Sequence, residues 1–234
     1  MPLSPQALQA ITELCDRLSE RMAVLFTGAG INAGLKNSDG VDFPLGQQLA
    51  DFIARDILET PALSTTLDEA AEMAQQRVGP QQLNLYLYRL LTSFSPGACH
   101  LAAVQLPWDV IYTTNYDIVL ETAALAPSLS PAGTIKPVLS VYDDLAAFTE
   151  SDILYHKLHG TIDQANTDRG HLVLTKADYR HYDKFRKPLF KRLKKDLLNR
   201  MFLFVGYALR DSNFRQILDD CRDCMGACNL LRCL

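Results

Sequence analysis

A glycine-rich turn follows a short apolar run near the start of the chain. Residues 24–32 read VLFTGAGIN, in which Gly28, Ala29 and Gly30 follow the run and Asn32 comes soon after. An unbroken apolar run is typical of a buried parallel strand, and a glycine turn at its carboxyl end lets a ligand approach the backbone. Free N–H groups in such a turn suit a pyrophosphate. The third glycine of the usual dinucleotide pattern is missing, so the turn alone fits equally well a tight connection that binds nothing.

Three later segments place polar residues or glycine where further predicted strands end. They are Asn115 and Asp117 after one strand, His159 with Gly160 after another, and Gly206 with Tyr207 after the last. Because the carboxyl ends of parallel strands meet at one edge of a sheet, we expect these residues to lie close together. Packing alone does not explain four such ends, and they indicate a ligand site at this edge.

The elements that must position these residues alternate along the chain. Strands are predicted at 24–27, 109–113, 135–141, 152–158, 172–174 and 201–205. Helices are predicted at 5–20, 44–58, 116–124 and 211–225, and a long helical region follows the strand at 172–174 and ends at about residue 199. Alternating strands and helices predict an α/β fold with a parallel sheet covered on both faces.

The segment between the first two strands is predicted to be a small helical insertion. Residues 67–95 carry two helical patterns that Gly79 and Pro80 separate, with no strand between them, and the insertion covers approximately residues 60–98. A polar, glycine-containing loop at 34–42 precedes it and is long enough to fold over a ligand.

Size and composition indicate one globular domain, residues 1–234. The formal net charge of -4 gives no overall attraction to nucleic acid or to an acidic membrane. No apolar run is long enough for a transmembrane helix and no signal-peptide pattern is present, so we expect a cytoplasmic protein. The end at Leu234 is expected to be a truncation, because a nucleotide-binding sheet normally continues with another strand.

The cysteines allow two interpretations. Cys15 and Cys99 are isolated and are predicted to be buried thiols, whereas four others lie near the C-terminus: Cys221, Cys224, Cys228 and Cys233. The last four have spacing that a zinc site could use, but the first three of them fall on one face of a predicted helix and fit inward packing as well. We favour packing and expect no metal.

The four strand-end motifs, in this order, resemble the sirtuin family, and in particular the bacterial sirtuin-like NAD hydrolases of antiphage defence. The matching segments are GAGIN at 28–32, TTNYD at 113–117 with Glu121 after it, KLHG at 157–160 and GYALRD at 206–211. The resemblance spans almost the whole chain. It implies a Rossmann-like fold that binds NAD, with Asn115 and His159 as the catalytic pair. The residues implied to bind NAD are Gly28, Ala29, Gly30, Asn32, Asp117, Gly206 and Tyr207.

Differences from the sirtuin deacylases favour NAD hydrolysis over deacylation. No cysteine lies between Cys99 and Cys221, whereas deacylases carry a four-cysteine zinc module. Their nicotinamide-gripping segment IPDFR is replaced by GVDFP at 40–44, and their FGE segment, which lines the acyl-lysine channel, by LVLTK at 172–176. We expect hydrolysis of NAD to nicotinamide and ADP-ribose. The alternatives are an NAD-dependent protein deacylase and a non-catalytic module that senses NAD or ADP-ribose.

The chemistry expected of these residues follows from the bond that is broken. The leaving group is already cationic, so the enzyme must position the ribose, stabilise an oxocarbenium and deliver water. His159 can accept a proton from a ribose hydroxyl or from that water, and Asn115 can orient the water or the carboxamide. Asp117 either favours the cation or, more simply, caps the following helix. Asn32 either contacts ribose or holds the loop.

Two further features have competing interpretations. His156, on the strand that leads to His159, is expected to share its face of the sheet and competes with it as the catalytic histidine, although no glycine follows it. The other histidines, His100, His171 and His181, have no partner that the sequence identifies. A basic run between 184 and 195 could suggest nucleic acid, but apolar residues interleave with it at helical spacing, so a solvated amphipathic helix is favoured.

The resemblance also has implications for partners. It implies an NAD-depleting effector with NAD as its substrate. It further implies a homo-oligomer, and a regulatory partner protein or a missing C-terminal domain that controls the activity. Direct binding to nucleic acid or to a membrane is not expected.

Overall fold

One parallel sheet of six strands, in the order β3-β4-β2-β1-β5-β6, organises the molecule. The computed structural model describes residues 4–61, 64–126, 133–139, 143, 147–208, 214–215, 217–219, 221 and 230–233. The strands are β1 (Ala23–Thr27), β2 (Val110–Thr113), β3 (Thr134–Val138), β4 (Asp152–Lys157), β5 (Met201–Val205) and β6 (Leu230–Cys233). All their pairings are parallel, which confirms the predicted α/β, Rossmann-like class.

Seven α-helices whose two ends both lie in the described part of the chain accompany the sheet. They are α1 (Pro5–Ser19), α2 (Gly46–Asp56), α3 (Leu67–Val78), α4 (Pro80–Leu91), α5 (Ala98–Val104), α6 (Val119–Ala124) and α7 (Lys176–Asn199). Single 3₁₀ turns follow β1 at Ala29–Asn32 and β4 at Ile162–Gln164. None of these helices is both long enough and apolar enough to cross a membrane.

The register of the strands brings their carboxyl ends level. Thr27 at the end of β1 pairs with Thr113 of β2 on one side and with Val205 of β5 on the other. Thr113 in turn pairs with Lys157 at the end of β4. The segments that follow these four strands therefore leave the sheet along one edge, as predicted.

Both faces of the central strands are buried. Val24 and Phe26 of β1 belong to an apolar cluster that includes Leu193 of α7, while Ala23 and Leu25 belong to a second cluster with residues of α1, α5 and α6. A strand covered on both faces needs apolar side chains at successive positions. This requirement explains the unbroken apolar run before the glycine turn.

A third apolar cluster lies among α2, α3 and α4, the last two being the predicted helical pair. It also contains Ile162, Leu172 and Leu174, which come from the segment after β4. The predicted strand at 172–174 is wrong: these residues form an extended loop without strand pairing. A run of three apolar residues cannot distinguish a short strand from a loop buried against helices.

Other boundaries differ from the prediction. The helix predicted at 116 begins at Val119, and the helix predicted at Pro44 begins at Gly46. In both places the residues before the helix line a cavity. Helix α5 was not predicted.

The C-terminal part holds one more strand than the sequence predicted, and the expectation of a truncation at Leu234 stays a prediction. The sheet continues within the chain, because β6 pairs with β5. Of the helix predicted at 211–225, residues 214–215, 217–219 and 221 are described and are helical, while the rest lies outside the described residues.

The thiols differ from prediction in part. Cys15 and Cys99 are exposed, whereas both were predicted to be buried. Cys221 is buried in the apolar cluster beside α7. The side chains of Cys224, Cys228 and Cys233 lie outside the described part. Among the side chains that are described, no three His, Cys, Asp or Glu residues form a group that could hold a metal ion.

Candidate functional site

A cavity of about 730 Å³ opens at the carboxyl edge of the sheet. Its volume lies within the range of roughly 300–1,000 Å³ that is usual for ligand pockets. Seven of the nine residues predicted to form the site line it: Ala29, Gly30, Asn115, Asp117, His159, Gly206 and Tyr207. Asn115 and His159, which come from different strands, thus lie on one cavity. The other two, Gly28 and Asn32, do not line it.

The glycine turn is packed against the segment after β5. The N–H of Gly28 donates to Val205 O at 3.1 Å, and the N–H of Gly30 donates to Gly206 O at 2.8 Å. These two donors are therefore engaged, contrary to the expectation that they are free for a pyrophosphate. A Cβ on Gly30 would lie 2.8 Å from Gly206 Cα. The two glycines thus allow two loops to touch, which is a packing requirement.

The backbone conformation and the close surroundings of Gly206 both require glycine. Its φ is +63°, in the left-handed region, and a Cβ there would lie 2.0 Å from Ile31 N. Backbone occupies the space that any side chain would need. The contact between Gly206 and the 3₁₀ turn fixes the shape of this wall of the cavity.

Asn115 is held by the ends of β1 and β2. Its backbone N–H donates to Thr113 Oγ1 at 3.0 Å, and its side-chain Nδ2 donates to Gly28 O at 3.2 Å. The hydroxyl of Thr27 donates to Thr113 Oγ1 at 2.8 Å. With Nδ2 directed at a carbonyl, the carboxamide oxygen is the acceptor that Asn115 can offer to a ligand or a water.

Asp117 begins the turn into α6. Its Oδ1 accepts from Val119 N at 3.0 Å, and its Oδ2 accepts from Asn32 Nδ2 at 2.8 Å. Asp117 thus bonds the first N–H of α6 from the position before the N-cap residue, Ile118, and it also lines the cavity. Asn32 is fully buried behind it, so Asn32 holds the loop through Asp117.

His100, for which the sequence identified no partner, contacts this pair. Its Nε2 lies 2.8 Å from Asn32 Oδ1, and Gly97 N donates to its Nδ1 at 3.3 Å. Burial lowers the pKa of His100 below its ordinary value, and the charge of Asp117 opposes this effect. The partner of His100 is 68 residues away in sequence, and no local pattern could have revealed it.

His159 is buried at the cavity wall between two tyrosine rings. Its ring centroid lies 5.6 Å from that of Tyr179, edge to face, and 6.3 Å from that of Tyr116. The backbone carbonyl of His159 accepts from Val173 N at 2.9 Å. Gly160, at φ +86°, turns the chain directly after it. Two aromatic rings therefore pack near the imidazole.

His156 occupies a different environment, and the expectation that it shares the side of His159 is wrong. It does not line the cavity; its ring stacks on Tyr112 at 4.9 Å, within the layer beneath α7. Burial lowers its pKa to about 3, and the charge of Arg192 adds to this effect. The two histidines are three positions apart and β4 ends between them, at Lys157, so strand alternation does not place their side chains on one face.

Two buried cations support the strand ends, and the sequence interpretation missed both. Lys157 is fully buried, and its Nζ donates to Asp117 O and, at 2.6 Å, to Glu121 Oε1. Arg186 belongs to the basic run that was predicted to be solvated, but it is buried. Its guanidinium donates to backbone carbonyls of three segments: Leu139, Lys157 at 3.1 Å and His171 at 2.8 Å. Interior carbonyls need donors, and this arginine supplies them.

Another part of the cavity lining is largely apolar, although Gln47 and Gln48 contribute to it. It comes from the start of α2 and from the helical pair, and its apolar members are Phe43, Pro44, Leu45, Leu49, Leu67 and Leu91. Asp42, by contrast, is exposed and pairs with Lys36 at 2.8 Å. The cavity therefore combines polar groups from the strand ends with apolar side chains that suit the flat ring of a base.

Comparisons with known proteins agree with this architecture. The SIR2-like domain matches residues 109–231. An NAD(+) hydrolase ThsA from Cytobacillus dafuensis is 31% identical over 223 residues, which cover 92% of this chain and 41% of the relative. The ThsA of Bacillus cereus (strain MSX-D12) is 27% identical over 228 residues, covering 95% and 44%.

A further relative is the defense-associated sirtuin 2 of Bacillus subtilis, which is 32% identical over 223 residues, covering 93% of this chain and 21% of that protein. The chain thus spans less than half the length of these curated relatives. The family match covers more than half of the chain and includes β2, β4, β5 and the strand-end residues Asn115, His159 and Gly206. This chain belongs to the SIR2-like domain family.

Proposed function

We propose that this domain hydrolyses the N-glycosidic bond between nicotinamide and ribose in NAD, releasing nicotinamide and ADP-ribose. The observation that carries the proposal is that Asn115 and His159 line one cavity together with Asp117 and the turn after β1. The ThsA relatives, which are named NAD(+) hydrolases, support the choice of substrate. The same cavity pairs a polar edge for ribose and phosphate groups with an apolar wall for a base.

In this proposal the protein positions the substrate and transfers a proton. The leaving group is cationic before cleavage, so it needs little acid assistance, and the developing oxocarbenium needs nearby negative or acceptor groups. Asp117 and the carboxamide oxygen of Asn115 are such groups on the cavity wall. The imidazole of His159 accepts a proton from a ribose hydroxyl or from the attacking water.

In this proposal the glycine turn shapes the NAD site and does not bind the pyrophosphate through the N–H groups of Gly28 and Gly30, as its sequence suggested. Gly28 acts behind the wall, through contact with Tyr207, and Ala29 and Gly30 present their surface to the ligand. Gly206 and Tyr207 form the adjoining wall. We assign to these residues the shape of the NAD site, and to Asn32 the support of Asp117.

We further propose that the complete protein is an antiphage effector that depletes cytoplasmic NAD, works as a homo-oligomer and is switched on by a partner protein or by another domain. The names of the relatives, which include a defense-associated sirtuin, and their greater length support this part. No metal is assigned to the reaction.

Nicotinamide release by the full-length protein, in its activated assembly, tests the assignment. His159→Ala should lower turnover by at least about 100-fold, the typical contribution of one positioned acid–base group. Asn115→Ala should lower turnover by about 100-fold as well, because the reacting groups lose the acceptor that orients them. His171→Ala is the matched control, because this histidine is largely exposed and pairs with Asp178 outside the cavity. Wild-type turnover in both site variants would refute the catalytic roles.

Two other outcomes would replace the proposal. Robust NAD-dependent deacetylation of acyl-lysine peptides, without nicotinamide release in their absence, would identify a deacylase. Retention of NAD or ADP-ribose with no release of nicotinamide by the activated assembly would identify a sensing module.

A further inference from the structure

A chain of buried polar side chains runs from α5 to the cavity. His100 on α5, Asn32 in the turn after β1 and Asp117 at the start of α6 are joined by two contacts of 2.8 Å each. His100 and Asn32 are 1% and 0% exposed, and Asp117 is 6% exposed at the cavity wall. We propose that His100 is a positioning residue, which sets the orientation of the Asp117 carboxylate through the amide of Asn32.

The direction of the hydrogen bonds follows from the first contact. The N–H of Gly97 donates to His100 Nδ1, so this nitrogen is an acceptor and the ring proton is on Nε2. Nε2–H then donates to Asn32 Oδ1, and this contact fixes which end of the amide faces Asp117. Asn32 Nδ2 donates to Asp117 Oδ2. Each hydrogen bond thus fixes the orientation of the next side chain, first the amide of Asn32 and then the carboxylate of Asp117.

The contact between Gly97 and His100 requires a neutral ring. A protonated imidazole would carry hydrogen on both nitrogens and would lose the contact with Gly97 N–H. Burial lowers the pKa of His100, which favours the neutral ring. The environment of the histidine therefore preserves the bond from Gly97, while Nε2–H donates to Asn32 in either protonation state.

The far end of the chain is the part that a ligand meets. Asp117 Oδ2 accepts from Asn32, Oδ1 accepts from Val119 N, and Lys157 holds the backbone carbonyl of the same residue. Two ionised oxygens offer about four lone-pair positions, so further acceptor sites remain for the cavity. Rotation of the carboxylate would aim those sites elsewhere. His100 thus affects ligand contacts without lining the cavity.

The inference rests on the proposed function for the identity of the ligand, which is NAD. A double-mutant cycle on the full-length protein tests it with His100→Leu, Asp117→Asn and the double variant, each assayed for kcat/KM of nicotinamide release and for the Kd of NAD. His171→Leu is the control at an exposed histidine. Thermal unfolding reports separately whether each variant is folded.

We expect His100→Leu to lower kcat/KM and NAD affinity by about tenfold, the value of one hydrogen bond that holds a charged group. Asp117→Asn should lower them further, and the double variant should lose no more than Asp117→Asn alone, because His100 acts through Asp117. Multiplication of the two losses in the double variant, or a wild-type kcat/KM in His100→Leu, would overturn the inference.

Failure of the proposed function gives a different pattern. If the wild-type assembly binds NAD but releases no nicotinamide, the hydrolase assignment fails, and the cycle scored on Kd still decides the role of His100. If the protein neither binds nor cleaves NAD, both fail. A further measurement needs no variant. The ¹⁵N chemical shifts of the His100 ring in the wild-type protein must show the Nε2–H form, and a proton on Nδ1 would contradict the inference.

Discussion

Replacing Lys157 with methionine should destabilise the protein strongly. Lys157 is fully buried and pairs with Glu121 at 2.6 Å, and the Glu121 side chain is only 19% exposed. Methionine fills similar space but leaves the carboxylate without its cation and Asp117 O without a donor. Removal of one partner from a buried ion pair costs about 3–5 kcal/mol, because the remaining charge is uncompensated. We expect a loss of that size in the free energy of unfolding.

The chain contains a matched control for this experiment. Lys176 and Glu69 also pair at 2.6 Å, but their side chains are 45% and 44% exposed. Lys176→Met should therefore leave the free energy of unfolding close to that of the wild type, because solvent screens an exposed pair. The measurement is urea unfolding at equilibrium for both variants. A loss in Lys157→Met no larger than in Lys176→Met would refute the argument that burial decides the value of the pair.

The pH dependence provides a second check on Lys157→Met. Burial raises the pKa of Glu121, and Lys157 opposes this rise. Without Lys157 the pKa in the folded state is higher still, so the folded protein holds a proton that the unfolded chain releases, and stability falls as the pH rises. The deficit of Lys157→Met should therefore grow as the pH rises above the ordinary pKa of a glutamate and shrink as the pH falls back towards it. Adding Glu121→Gln should recover part of the loss at the higher pH.

Two further predictions concern residues that support the cavity. Gly206→Ala should abolish NAD binding and lower the melting temperature, because the new Cβ would meet Ile31 N. Gly34 also has a positive φ but has open space around it, so Gly34→Ala should lower the melting temperature less, through backbone strain alone. NAD titration and thermal unfolding compare the two variants. Arg186→Met should reduce the free energy of unfolding by more than about 3 kcal/mol, because buried carbonyls that lose their donor cost about 1–3 kcal/mol each. Lys187 is the exposed neighbour of Arg186, and Lys187→Met should leave the free energy of unfolding nearly unchanged. Equal losses in the two variants would show that the basic run is a solvated surface.

Much of the edge of the sheet was predictable because its signal is local. β1, β2, β4 and β5 are buried runs followed by glycine or a polar residue, and parallel strands place such ends together. This reasoning brought Asn115 and His159 to one cavity, which the structure shows. Their chemical roles remain predictions. The error at 172–174 arose where the local signal was a run of only three residues.

The supporting residues were not predictable because their partners are distant in sequence. Lys157 contacts Glu121, 36 residues away, and His100 contacts Asn32, 68 residues away. A lysine or arginine in a basic stretch usually lies in solvent, and that general preference gave the wrong interpretation of Arg186. Whether a cation is buried depends on which carbonyls and carboxylates surround it after folding.

The sequence by itself determined the α/β class, the four strand ends and the family resemblance, because burial on both faces requires apolar residues at successive positions of a strand. Only the tertiary structure decided what the glycine turn and the histidines do. The N–H groups of Gly28 and Gly30 are taken by the segment after β5, and His156 and His159 lie in different environments. Hydrogen-bond partners and burial are properties of the folded contacts, and residue spacing along the chain does not specify them.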